Sequence, residues 1–254
     1  MRGHRASRDE TGPGTGGGAI GSLTRRIEQI LPSLEYRRMV EVEDREAVYR
    51  LRYEGYRREG RIGDRAHRSL HDADDERPNT DSYGIFVRGM LVATIRLSIL
   101  TPLYPHSPSG DVFGDVLLAR VRAGKVIVDP TRLVISPRAM GQFPEMPWLT
   151  VRVPIMACIH FGADECLSTV QPQHKAFYER IFRVSRLGEP YYYAPLDMHL
   201  ELLVNSARTM IDDLRERYPF LHSTYLQRRQ LFGQATRVPG VVDDRRYAGT
   251  ALAA

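Results

Sequence analysis

Apolar positions along the chain recur at two spacings. Leu91, Ala93, Ile95, Leu97 and Ile99 alternate with Val92, Thr94, Arg96 and Ser98, which predicts a strand that places Arg96 mid-sheet. Tyr83 to Val87 precedes it across Arg88-Gly89, predicting a hairpin. Lys125 to Ser136 reads K-V-I-V-D-P-T-R-L-V-I-S, β-branched on both sides of a charged centre. Pro130 has no N–H to give a ladder, so this strand is expected to bulge or splay. Tyr36–Val42 and Cys166–Val170 are further strands, and Val184–Leu187 is expected to pair with Tyr191–Tyr193 across Gly188. Helical spacing runs over Ser22–Leu31, and from an Asp44 N-cap through Val48, Leu51 and Gly55, with Arg52 and Tyr56 neighbours four apart. It returns over Pro147–Phe161, His174–Phe182 and Phe220–Leu231. Leu196, Leu200, Leu203, Ala207, Ile211 and Leu214 predict a long amphipathic helix. Residues 101–124 are rich in Pro and Gly and read as an irregular insertion.

The order β-α-β-β-β-α-β-α-β-β predicts an α+β fold, a mixed sheet with a helix between its central strands. The expected organisation is a disordered tail over 1–21, one α+β domain over 22–194, a helical extension over 195–235 and a flexible tail over 236–254.

Composition narrows the class. At 254 residues and 42% hydrophobic, the chain can bury a full core, and no window approaches the roughly 18 apolar residues of a spanning helix. With no apolar signal core at the N-terminus, a cytoplasmic protein without a membrane span is expected. Cys158 and Cys166 are too few for a disulfide framework. The net charge is +5, and of 36 basic residues only Lys125 and Lys175 are lysine. The arginine bias reads either as genome composition or as a basic face for an acidic partner. No basic run argues for nucleic acid. The acidic run Asp72-Ala-Asp-Asp75 lacks the EF-hand spacing, so no metal is expected, and it is the nearest source of a carboxylate for Arg96. Dinucleotide, P-loop, serine-hydrolase and zincin motifs are absent.

The charged positions carry a resemblance. L-R-Y-E-G-Y (51–56), D-A-D-D (72–75), V-A-T-I-R-L (92–97) and D-P-T-R-L-V-I (129–135) resemble, in order, the R-x-x-x-F, D-x-x-D, G-x-x-R and E-x-S-R-F motifs of acyl-homoserine-lactone synthases. Q-P-Q-H-K-A-F-Y (171–178) is similar to a P-x-H-x-x-F-Y segment of their sister group, the long-chain N-acyl amino acid synthases. Both groups have the GNAT acyltransferase fold, a mixed sheet with a splayed central strand pair, so the resemblance implies a GNAT-like domain over 22–194. It implies Arg52, Tyr56, Asp72, Asp75, Arg96, Thr131, Leu133, Val134 and His174 as substrate-binding residues, and Asp129, Arg132 and Tyr178 as catalytic ones. The family glutamate is Asp129 here, and the family glycine is Ala93. The coenzyme A signature R/Q-x-x-G-x-G/A survives only as Arg138-Ala-Met-Gly141-Gln-Phe143. That favours a donor without a pyrophosphate: the acyl-phosphopantetheine of acyl carrier protein, with no bound cofactor.

In that chemistry a neutral amine attacks a thioester whose oxyanion is stabilised. Asp129 would take the amine's proton, directly or through a water. Arg96 or Arg132 would pair with an amino-acid carboxylate, Tyr178 would protonate the leaving thiolate, and the C-terminal helices would wall the acyl chain. The rival for the charged group is a structural ion-pair network. The rival functions are an acyl-homoserine-lactone synthase that uses S-adenosylmethionine, a catalytically silent module that binds acyl carrier protein or lipid, and an acetyl-CoA-dependent GNAT.

Overall fold

The structure is a computed structural model that describes residues 16–233. The tail expected over 236–254, residues 1–15 of the N-terminal tail and residues 234–235 of the helical extension lie outside the described residues. The elements in chain order are α1 (Gly16–Ile30), β1 (Leu34–Arg38), α2 (Val42–Arg58), β2 (Thr80–Val87), β3 (Met90–Leu100), α3 (Pro108–Arg122), β4 (Ile127–Ile135), α4 (Pro137–Gln142), α5 (Met146–His160), β5 (Glu165–Val170), α6 (Lys175–Phe182), β6 (Ser185–Arg186), β7 (Tyr191–Tyr193), β8 (Met198–Ser206), α7 (Ala207–Arg217) and α8 (Tyr225–Phe232).

The strands form one sheet in the order β1-β2-β3-β4-β5-β8-β6, with β7 also on β8. From β1 to β4 the ladder is antiparallel; β4 and β5 are the parallel pair. Their pairing stops after Ile127↔Glu165 and Val128↔Cys166. Beyond it the strands part, so Asp129 to Ile135 faces β5 with no ladder. On its other side β4 stays on β3 but bulges. Between Thr94↔Val134 and Arg96↔Thr131 only Ile95 opposes both Arg132 and Leu133. Arg132 takes φ +51, the left-handed region that costs a side-chain-bearing residue about 1–3 kcal/mol. The expected interruption is present, then, as a bulge on one side and an opening on the other.

Two apolar clusters sandwich the sheet. One packs Ile95, Val128 and Cys166 under α5, α7 and α8; the other packs Ile127, Leu167, Leu200 and Leu202 under α3. Cys166 and Leu167 are neighbours in β5 and sit in different clusters, as strand alternation requires. α2 crosses β4 closely at Gly55: a Cβ built there would lie 2.5 Å from Val134 Cγ1.

Four expectations are corrected. Residues 16–21, expected in a disordered tail, begin α1. The stretch from Leu196 to Leu214 is not one helix, because Met198–Ser206 is a strand in the sheet and only Ala207–Arg217 is helical. Met198, Leu200 and Leu202 share one face at a spacing of two, and burial on both faces puts apolar residues on the other as well. Such a run matches either period. Residues 101–124 hold α3, capped by the Ser107 side chain on Gly110 N (3.2 Å) with Pro108 in the first turn. β6 and β7 do not pair with each other; each pairs with β8.

Candidate active site

A cavity of about 760 Å³ runs through the opening between β4 and β5. Its mouth is charged: Arg58 and Glu59 at the end of α2, Asp72 and Asp74 from the following loop, Arg96 from β3 and Arg132 from the bulge. Thr131, Leu133 and Val134 form the β4 wall. On the α3 face its apolar lining is Val112, Leu167, Tyr193, Leu196, Met198 and Leu200. On the α5–α6 face it is Val151, Ile155, Cys166, Phe177, Tyr178 and Phe182, with Met210 from α7.

The charged cluster is built around two aspartates. Asp72 caps a short 3-10 turn over Ala73–Glu76, and Asp75 returns a bond to the Asp72 N–H (3.1 Å). The turn thereby presents three carboxylates to three arginines. Asp72 accepts from Arg96 Nη1 and from Arg132 Nη2, each at 2.5 Å. Burial by itself would raise the Asp72 carboxyl, but the Arg96 and Arg132 guanidiniums outweigh it and hold the group at about 2. Arg96 also reaches Thr131 Oγ1 (3.1 Å) and Asp75 (3.3 Å), so its expected partners are the ones it has. Burial pushes Arg132 down, yet Tyr56 and Asp72 beside it push its pKa higher still, so it is a permanent cation. Its guanidinium carbon lies 5.2 Å from the Tyr56 ring centroid. Arg132 Nη1 is buried without a hydrogen-bond partner among the described residues. A buried donor left over in a cavity wall is a place for an anionic oxygen.

Three residues expected at the substrate stand behind the wall instead. Arg52 is fully buried and holds Asp75 Oδ1 and Ser82 Oγ at 2.7 Å each, so this pair carries the wall and does not meet the cavity. Asp129 is also fully buried and outside the lining. Its carboxylate accepts from Ser109 N (3.1 Å) and Ser109 Oγ (2.7 Å) at the start of α3. Burial raises its pKa against the serine hydrogen bonds that lower it. Direct contact between Asp129 and an amine in the cavity is therefore corrected: Ser109 stands between them. The other expected residues, Tyr56, Asp72, Arg96, Thr131, Arg132, Leu133, Val134, His174 and Tyr178, all line the cavity.

Tyr178 lies on α6 against Phe177 and Phe182, with ring centroids 5.3 and 5.9 Å away. Burial, with a smaller push from Cys166, raises its phenol to about 12, so it stays protonated and can donate. Sequence reasoning missed Ser109 and Thr169, whose hydroxyl oxygens are 2.6 Å apart on the cavity wall, and Arg58 and Glu59 at the mouth. The signal for Ser109 was present. Ser107-Pro108 is a helix start, and Phe113, Leu117 and Val121 repeat at four.

A family profile for the N-acyl amino acid synthase FeeM matches residues 47–205, more than half of the chain. The chain belongs to this family. It is therefore an N-acyltransferase of the N-acyl amino acid synthase kind, and its sheet with a parted central pair is the GNAT fold. Among solved structures, FeeM, an N-acyl amino acid synthase from uncultured soil microbes, matches with TM-score 0.58 and 16% identity, over 72% of this chain and 94% of that one. The CoA-dependent acyl-homoserine lactone synthase BjaI, with SAM and isopentyl-CoA, matches with TM-score 0.53 and 18% identity, over 73% and 88%. MesI, another CoA-dependent acyl-homoserine lactone synthase, gives 0.52 and 17%, over 75% and 97%. At such identities these neighbours bear on the fold. No curated protein matches the chain by sequence. Among the described residues no helix is long and apolar enough to cross a membrane.

Proposed function

We propose that this N-acyltransferase moves a long-chain acyl group from the phosphopantetheine thioester of acyl carrier protein to the α-amine of an amino acid. The observation that carries the reading is the cavity itself, which joins the unpartnered Arg132 Nη1 at a charged mouth to apolar compartments through the β4–β5 gap. A free amino acid brings a carboxylate that suits Arg132, and Tyr56 flanks it. The thioester carbonyl sits in the gap, where the β4 N–H groups that point away from β3 beyond Val128 are available to its oxyanion. The pantetheine arm leaves past Tyr178, which protonates the departing sulfur. The acyl chain fills the space lined by Leu167, Leu196, Met198 and Leu200.

Two observations support a carrier protein as donor. The coenzyme A signature is broken at Phe143, and the stretch before it is wound into α4, so it forms no glycine loop turned toward a pyrophosphate. Exposed Arg138 and Arg180 offer cations to an acidic partner. CoA-dependent structural neighbours motivate the alternative donor, and rates with the same acyl group on acyl carrier protein and on coenzyme A separate the two. The test is mass spectrometry of lipid extracts from cells overexpressing the protein, beside an Arg132→Gln control. An N-acyl amino acid found only with the wild type supports the reading and names the acceptor. An acyl-homoserine lactone in its place overturns it.

A further inference from the structure

We propose that Thr169 and Ser109 form a hydroxyl relay that carries the acceptor amine's proton from the cavity to Asp129. This rests on the acyl-transfer reading and supplies the proton acceptor that reading lacks, since Asp129 does not itself meet the cavity.

The relay follows from the way the strands part. Asp129 directly follows the last paired position of β4 and Thr169 lies three residues past Cys166 on β5, where the pairing Val128↔Cys166 between the two strands has ended. Ser109, in the first turn of α3, spans the gap on one face. Its Oγ is 2.7 Å from Asp129 Oδ1 and 2.6 Å from Thr169 Oγ1. The direction of donation is forced: an ionised carboxylate only accepts, so the single Ser109 proton goes to Asp129, and Thr169 must donate to Ser109. The Thr169 lone pairs are then left for a donor from the cavity, which both hydroxyl residues line. By strand alternation Asp129, Thr131 and Thr169 share the α2–α3 face with Arg96 and its carboxylate partners. The charged mouth, and so the amine, is on the relay's side of the sheet, while Tyr178 waits on the α6 side.

A clamp on the start of α3 accounts for part of this cluster but not for all of it. The backbone N–H of Ser109 already fixes Asp129 Oδ2 (3.1 Å), and Ser107 already caps the helix. The Thr169 hydroxyl adds nothing to the helix start; it extends the chain to the cavity. Asp129 is fully buried, and burial outweighs the Ser107 and Ser109 hydrogen bonds and the Arg96 charge that pull its pKa down, which leaves it a better base than an exposed carboxylate.

The acceptor reacts as the neutral amine. As its lone pair forms the C–N bond to the thioester carbon, one N–H proton passes to Thr169 Oγ1. The Thr169 proton moves to Ser109 Oγ, and the Ser109 proton moves to Asp129 Oδ1. The C–S bond breaks with its electron pair on sulfur, and the thiolate takes the Tyr178 proton. Asp129 then loses one proton to water and Tyr178 regains one, which leaves an amide, a thiol and an unchanged protein.

The experiment measures single-turnover rates in H2O–D2O mixtures for purified wild type, Thr169→Val, Thr169→Ser and Ser109→Ala, with a long-chain acyl thioester of acyl carrier protein and the amino acid named by the extracts. Several protons in flight give the wild type a curved dependence on deuterium fraction. Thr169→Val, close in shape, should lose roughly 10²-fold or more in rate, and the curvature with it. Thr169→Ser should restore both, and Ser109→Ala should match the valine variant. A purely structural role lowers the melting temperature without touching the curvature. Thr169→Val with the wild-type rate and curvature overturns the relay alone; no amide from the wild type with any donor overturns the acyl-transfer reading and the relay together.

Discussion

Gly55→Ala tests whether α2 is held against the bulged strand as closely as the structure places it. In an ordinary helix interior this change is favourable by about 1 kcal/mol, because alanine orders more cheaply than glycine. Here the new Cβ would lie 2.5 Å from Val134 Cγ1 and 3.7 Å from both Val134 Cβ and Cγ2. Carbon atoms in contact sit about 3.5–4.0 Å apart, so one side must retreat by roughly 1 Å. Val134 is stiff at χ1 and 7% exposed, on a strand paired to β3, and overpacking of this kind costs about 1–3 kcal/mol. The two effects leave a net destabilisation of about 0–2 kcal/mol. A second substitution isolates the contact. Val134→Ala alone removes two methyl groups, about 1.6 kcal/mol of burial. In the double variant the clash is gone, so its loss should fall short of the sum of the singles by about 1–3 kcal/mol. Urea unfolding of the four proteins, followed by far-ultraviolet circular dichroism, gives the coupling directly. A Gly55→Ala protein about 1 kcal/mol more stable than wild type, with no coupling to Val134, would refute the close crossing.

Three further outcomes follow from the charged cluster and from Tyr178. Asp75→Ala leaves Arg52, fully buried, without its carboxylate and should cost about 3–5 kcal/mol in urea unfolding; a loss under 1 kcal/mol contradicts the buried pair. Asp72 sits at about 2 in the folded state against 3.8 for an unperturbed carboxyl, so its ion pairs stabilise the fold fully above about pH 4, and that stabilisation is lost as pH falls toward 2. The stability gap between wild type and Asp72→Asn should therefore close on acidification, and a gap that stays constant from neutral pH to pH 2 contradicts the pairing. Tyr178→Phe should lower kcat about 10²-fold with KM little changed, and steady-state kinetics at the wild-type kcat would make Tyr178 a packing residue only.

The strands around the site were legible because their pattern was local. β3 alternates cleanly over Leu91–Ile99, and Pro130 with its charged neighbours announced the irregularity in β4, which the structure places as a bulge against β3. Arg96 needed an acid, and the run at 72–75 was the nearest supply; the structure makes that pairing. Legibility ended where long-range placement decides. Arg52 and Asp129 carry charge in apolar surroundings, but sequence does not tell a charge facing a cavity from one that braces its wall. β8 was misread because a strand buried on both faces loses its alternation, and Leu196 to Leu214 then fits a helical period equally well. The relay hydroxyls come from residues 60 positions apart and meet only because α3 starts over the β4–β5 gap. The local half of that information, the Ser107-Pro108 helix start, was outweighed by the Pro and Gly content around it.

The central claim is best tested by incubating purified protein with a mixture of free amino acids and the same long-chain acyl group on either acyl carrier protein or coenzyme A, and then resolving amides by mass spectrometry. The account predicts one N-acyl amino acid, formed faster from the carrier-protein thioester, with release of the free thiol and loss of product in Arg132→Gln. Product formed equally well from coenzyme A would contradict the proposed donor. No amide from either donor, or a lactone on addition of S-adenosylmethionine, would contradict amino-acid N-acylation itself.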